Sequence, residues 1–263
     1  MRQSKQQLEA CLPLGELTSR RVLLAQGVSS HGIDNHLKSG VLQKVVTGIY
    51  MRHESRLIWQ GIVASLPRMM GEPVAGGGLT ALELQGFAQY LGLGGKRRVH
   101  LYSPAPCPSW LPDAFRQMEG AELKWHRTTR LWQRGWPGSA CINSYPWQEG
   151  SNLPVSAPEQ AMLELLLLLP DELSFEHAEQ LMQGLTQLSP RKLDGLLRDC
   201  MSVKVKRLFF WLADRFDYPW RGRLQVDDYD LGSGKRVVAK GGKLDQHYAI
   251  TVPQAMFRDY VGG

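Results

Sequence analysis

Three turn signals cut the first fifty or so residues into short pieces: Gly27, Gly40 and Thr47-Gly48. Residues 4–12 (SKQQLEACL) place Leu8 and Leu12 four apart and predict a helix that ends before Pro13 and Gly15. Thr18 or Ser19 can cap a second helix running to about Gln26, with Val22, Leu23 and Ala25 as its apolar side, and Gly27 closes it. After that turn Ser29 is placed to cap a third helix through Lys38, with Gly40 just past its end, where a left-handed residue is wanted. Residues 41–46 (VLQKVV) predict a strand, Thr47-Gly48 a turn and Ile49-Tyr50-Met51 the returning strand. Helix, helix, turn, helix and hairpin in this order are the layout of a winged helix-turn-helix, which we place at residues 1–56.

Charge is concentrated in the same segment. Of the 263 residues, 31 are Lys or Arg and 25 Asp or Glu, a net charge of +6. Residues 1–56 hold eight of the bases and only four of the acids, so most of the excess sits in about a fifth of the chain. That is the footprint of a polyanion-binding module. At 100° per residue the third helix gathers His31, Asp34, Asn35 and Lys38 on the side opposite Ile33 and Leu37. Asn35 can pair bidentately with adenine, Lys38 can reach guanine or a phosphate, Asp34 can accept from cytosine, and His31 can meet a base or a phosphate. Ser29 and Ser30, at the helix start, present backbone N–H groups to a phosphate. Arg20 and Arg21 open the helix that crosses the backbone in such domains, and Lys44 and Arg52 flank the wing. The partner expected on these grounds is double-stranded DNA, although a winged helix can also serve as a protein-interaction module.

Residues 57–263 read as a larger mixed α/β domain, which makes the whole chain α+β. Helices are expected over Leu57–Met70, over Thr80–Leu91 capped by Thr80, and from a Ser156–Glu159 capping box to Pro170. Further helices start at Ser174, at Ser189-Pro190 and at Ser202, the last with a buried stripe of Val205, Leu208, Phe209 and Leu212. Gly71–Gly78 reads as a turn, and Val99–Tyr102 and Glu122–Trp125 as strands. Arg236–Lys240 and His247–Val252 read as the arms of a terminal β-hairpin. Lys204, Lys206 and Arg207 form a second basic cluster, expected on a solvated face.

Catalytic and metal signatures are weak. Gly232-Ser-Gly-Lys235 lacks both the Ser or Thr and the first glycine of a phosphate-binding loop, and no G-x-S-x-G occurs, so no catalytic residues, metal or cofactor are assigned. The four cysteines, Cys11, Cys107, Cys141 and Cys200, have no zinc or disulfide spacing and are expected as reduced thiols. Pro112-Asp113 followed by Glu122-Leu-Lys124 does satisfy the loose pattern of a metal-dependent nuclease, which is the alternative enzymatic reading. The apolar run Ala161–Leu169 is too short to span a membrane, and the N-terminus lacks the apolar stretch of a secretory signal, so the cytosol is the expected compartment.

Several runs, in order along the chain, carry a resemblance. Thr18-Ser-Arg-Arg-Val-Leu-Leu, Gly27-Val-Ser, His36-Leu-Lys-Ser-Gly40-Val-Leu and Gly48-Ile-Tyr-Met51 resemble the winged helix of AbiEi-family antitoxins from type IV toxin–antitoxin systems. Gly78–Gly86, His100-Leu-Tyr, Lys206-Arg-Leu-Phe-Phe, Leu231-Gly-Ser-Gly-Lys-Arg and Tyr248–Pro253 are similar to the second domain of that family. The resemblance implies a bacterial repressor of its own operon that binds operator inverted repeats. It also implies a second domain that antagonises a nucleotidyltransferase toxin of the AbiEii type, directly or indirectly.

Overall fold

Leu8 and Leu12 from the first helix, Leu23 and Val28 around the turn, Ile33 from the third helix and Leu42 from the hairpin meet in one buried core, with Leu37, Val41 and Tyr50 packed against it. Each such side chain contributes about 1.5–3 kcal/mol by leaving water. The computed structural model describes residues 2–88 and 95–257. Its first elements are α1 (Arg2–Cys11), β1 (Leu17–Ser19), α2 (Arg20–Ala25), α3 (Ser30–Lys38), β2 (Leu42–Val46) and β3 (Ile49–Arg52). The strands form an antiparallel sheet in the order β1-β3-β2. β1 was not expected: three residues, Leu17–Ser19, carry no period of their own and become a strand only because β3 pairs with them.

The chain folds into two compact units. The first combines residues 1–76 with 90–127 and 142–155, and the second comprises 77–89, 128–141 and 156–263. In the first unit the winged helix continues into α4 (Trp59–Met70) and β4 (Ala75–Gly76). After α5 (Gly78–Leu84), which belongs to the second unit, come β5 (Arg97–Ser103), α6 (Leu111–Arg116), β6 (Ala121–Arg127), β7 (Ile142–Gln148) and β8 (Ser151–Ser156). These strands make a sheet in the order β6-β5-β4-β8-β7, with α6 as the crossover between parallel β5 and β6. The glycine-rich stretch read as a turn therefore contains β4, whose Gly76 lies between Leu101 and Val155. Local glycine content argues for a turn, but pairing on both sides overrides it.

α4 lies close to the loop before β1. A Cβ on Gly61 would stand 1.8 Å from the Gly15 carbonyl oxygen, so only glycine fits. Ser65 Oγ accepts from Leu17 N at 2.7 Å, and Arg68 pairs with the buried carboxylate of Glu16 at 3.1 Å.

In the second unit α7 (Pro158–Leu166) is buried along nearly its whole length and packs against α5, α8 (Phe175–Gly184), α9 (Pro190–Asp199) and α10 (Val203–Ala213). The expected capping box at its start does not form. Ser156 Oγ turns instead to Glu164 Oε1, Glu159 Oε1 accepts from Ser189 N at 2.8 Å, and the cap is Ala157 without a side-chain bond. Thr80 is likewise no cap. α5 starts at Gly78, whose N–H is taken at 2.9 Å by Glu164 Oε2 from α7, a nonlocal partner that makes the local one unnecessary. The helix, expected to run to Leu91, ends at Leu84 with a turn over Gln85-Gly86; Leu91 itself lies outside the described residues.

α10 also departs from expectation. It is buried all round from Val205 to Ala213, so Lys206 and Arg207 are interior, and Lys204 points at the end of α7, donating to the Leu167 and Leu169 carbonyls at 2.9 and 2.7 Å. Arg207 is 3 % exposed and holds the 231–234 loop by donating to the carbonyls of Leu231, Gly232 and Gly234. A carbonyl cradle can satisfy a guanidinium in the interior because its five donors diverge in a plane. The terminal hairpin pairs β9 (Lys243–Asp245) with β10 (Ile250–Val252), while Arg236 makes only an isolated bridge to Ile250.

Candidate nucleic-acid interface

The turn between α2 and α3 is built so that its geometry has no freedom. Gly27 takes φ +83°, its N–H reaches Leu24 O at 3.0 Å, and Val28 N reaches Leu23 O at 3.0 Å, closing a Schellman motif over the Leu23–Val28 core contact. Gln7 of α1 donates to the Gly27 carbonyl at 3.1 Å. Ser29 then caps α3 by accepting from Gly32 N at 3.0 Å.

α3 turns Ile33 and His36 into the core. His36 was missing from the inward face in the sequence reading, although at 100° per residue it lies only 60° from Ile33. Ser29, Ser30, His31, Asn35 and Lys38 are exposed. His31, Asn35 and Lys38 have no hydrogen bond or ion pair from their side chains among the described residues, so this face is open to a ligand.

The arginines stand differently. Arg20 does not lie open. Its Nη1 donates to Asp34 Oδ1 at 2.7 Å and its Nη2 to Asp34 Oδ2 at 3.2 Å, with a further short bond to Ser30 Oγ. The bond between Arg20 and Asp34 lowers the Asp34 pKa and raises that of Arg20. The Asp34 carboxylate is therefore occupied and not presented to a base. Arg21 is exposed but leans on the end of α4, donating to Met69 O at 2.9 Å. Arg52 is 9 % exposed, and its guanidinium sits between Glu9 at 3.3 Å and Glu54 at 2.9 Å. The charges of Arg52 and Lys5 lower the Glu54 pKa. Lys44 is exposed on β2, beside a cleft of about 660 Å³ that α6 closes on its other side.

The nuclease pattern is not assembled. Asp113 lies inside α6 and is held by Arg116, and Glu122 is held by Lys124 at 2.9 Å on the same strand. Each carboxylate already has a cation. Among the described residues no group of three His, Cys, Asp or Glu could hold a metal ion, and no helix is long and apolar enough to cross a membrane. All four cysteines are free thiols, with Cys141 and Cys200 buried.

Two buried titratable groups lie elsewhere. Glu164, fully buried, is pushed up to about 7 by desolvation, against bonds from Gln160, Gly78 and Ser156 that favour its charge. His100 stacks beside His126 with Nδ1 and Nε2 2.9 Å apart, and burial, then the neighbouring imidazole, lowers it to about 3.

Comparison with known proteins converges on one family. A family model described as the N-terminal domain of the AbiEi antitoxin, a transcriptional regulator, matches residues 1–93. A second, described as the AbiEi antitoxin transcriptional regulator of type IV toxin–antitoxin systems, matches residues 96–253. The crystal structure of the RV2827C protein from Mycobacterium tuberculosis is similar in fold, with a TM-score of 0.53 at 15 % identity over 94 % of this chain and 88 % of that one. No curated protein matches. With both halves matched in order, the chain belongs to the AbiEi antitoxin family of transcriptional regulators of type IV toxin–antitoxin systems.

Proposed function

We infer that this chain represses its own operon by binding inverted repeats upstream of it, with residues 1–56 as the DNA-binding module. The observation that carries this is the open face of α3: His31, Asn35 and Lys38 project from a helix fixed by the Gly27 turn, the Ser29 cap and the Arg20–Asp34 pair. In this reading Asn35 pairs with adenine, Lys38 and His31 reach a base or phosphate, and the Ser29–Ser30 end faces a phosphate. Arg21 and Lys44 hold the backbone. Arg20 and Arg52, engaged by carboxylates, position α3 and the wing. Residues 57–263 carry the antitoxin activity against a nucleotidyltransferase toxin of the AbiEii type, a role supported by family membership.

The test is fluorescence anisotropy with the DNA upstream of the gene and a shuffled duplex of equal length, each titrated across salt. Tight binding to the upstream DNA alone is expected. Equal, steeply salt-dependent binding to both would reduce the surface to a general basic patch. No binding to either would assign the winged helix to a protein partner.

A further inference from the structure

Three of the eight cations of the winged helix are engaged by its own carboxylates. Arg20 is held by Asp34, Arg52 by Glu9 and Glu54, and Lys5 by the same two glutamates. Arg21 leans on a carbonyl. From residue 5 to residue 52, Lys38 and Lys44 are the two Lys or Arg side chains without a hydrogen bond or ion pair among the described residues. Affinity for duplex DNA grows with the number of phosphates neutralised, so further cations beside this face would add to it.

α6 supplies them. It forms one wall of the cleft whose other wall is Lys44–Thr47 of the wing, and Arg116 and Gln117 line that cleft from the α6 side. Arg116 also lines a second cleft, of about 340 Å³, together with Lys96, and Gln117 lines a third, of about 530 Å³, together with Arg56. Lys44, Arg56 and Lys96, far apart in sequence, thus lie in the clefts around α6, whose last residue is Arg116, within one compact unit. Of the acids on this face, Asp113 holds Arg116 and Glu122 holds Lys124, while Glu119 lines the third cleft. Arg116 is carboxylate-bound as well, but its side chain is 73 % exposed against 38 % for Arg20 and 11 % for Arg52, so its guanidinium keeps donors turned to solvent while Asp113 orients it.

The geometry points to a DNA interface that continues past the wing, with Arg116 and Lys96 gripping backbone phosphates that flank the sequence read by α3. This rests on the DNA-binding reading. A duplex backbone is favoured over an acidic protein because the cleft is continuous with the wing strand carrying Lys44, and Arg116 and the Gln117 amide line it beside Asp113, which pairs with Arg116. Such a surface suits repeated phosphates.

The experiment compares the full-length chain with K96A/R116A and K44A on the upstream duplex and its shuffled control across salt. K96A/R116A is expected to weaken both duplexes by a similar factor, roughly fivefold, and to flatten the salt slope by about two, with discrimination between them unchanged. Both side chains are exposed, so an unaltered melting temperature identifies a folded variant; a lowered one sends the same comparison to K96Q/R116Q. Wild-type binding and slope in the folded double variant, while K44A weakens binding, would overturn this proposal and leave the DNA-binding reading standing. Failure of the wild-type chain to bind either duplex would overturn both.

Discussion

Arg20, the first residue of α2, grips Asp34 in the middle of α3 with two guanidinium nitrogens, at 2.7 and 3.2 Å. The pair couples the two helices of the helix-turn-helix at an exposed site and cancels two charges on the face that would meet DNA. Asp34→Ala releases Arg20. Its expected effect is tighter binding to the shuffled duplex with a steeper salt dependence, and so a smaller preference for the upstream DNA. Arg20→Ala leaves Asp34 bare and should weaken binding to both duplexes. If Asp34→Ala leaves both affinities untouched, the pair has no part in DNA binding.

Asn35 is exposed beside this pair and takes no part in packing. Asn35→Ala should keep the melting temperature of the parent chain and cost about 1–3 kcal/mol at a single base position of the binding site. A panel of single-base duplex variants reads this directly. A variant that discriminates as the parent does would remove Asn35 from the reading face.

Much of the winged helix was legible because its signals are local. Ser29 caps α3, Gly27 and Gly40 take left-handed φ, and the hairpin turns at Thr47-Gly48, each decided within four residues of chain. The starts of α8, α9 and α10 at Ser174, Ser189 and Ser202 are legible for the same reason. What escaped was nonlocal. Whether Arg52 meets a phosphate or is held by Glu9 depends on a residue 43 positions away, and Lys206 and Arg207 read as solvated until other elements cover α10. The Thr80 and Ser156 caps failed because one buried carboxylate, Glu164, serves both places from α7. Arg116 carries no local mark of its neighbour on the wing.

Glu164 gives a pH signature with a definite sign. Its value in the folded chain, about 7, lies above the ordinary 4.5, so the folded state binds the proton more tightly than the unfolded state. The associated stability is fully present at the acid end and is lost as pH rises from about 4.5 to about 7, by about 3 kcal/mol. His100, lowered from 6.5 to about 3, acts in the opposite sense: its contribution is lost as pH falls from about 6.5 toward 3. Glu164→Gln should therefore gain stability relative to the parent as pH rises through the window of Glu164. Urea unfolding at pH 5 and pH 8 measures it, and parallel pH profiles would reject the assignment.

Gly61 tests the seam between α4 and the loop before β1. Gly61→Ala places a methyl group within 1.8 Å of the Gly15 carbonyl oxygen, backbone that cannot swing aside. A loss of about 3 kcal/mol is expected by denaturant unfolding. Gly40→Ala is a useful contrast: it meets nothing within 4 Å and pays only for its φ of +72°, so its loss should be smaller.

The division of labour on α3 has an evolutionary consequence. Ile33 and His36 hold the helix in place, while the side chains of His31, Asn35 and Lys38 are exposed and make no hydrogen bond or ion pair among the described residues. The outward side chains can be exchanged without disturbing the scaffold that carries them. A transcriptional regulator built this way can acquire a new address by a few substitutions on one face, and duplicated copies can diverge while remaining the same folded object.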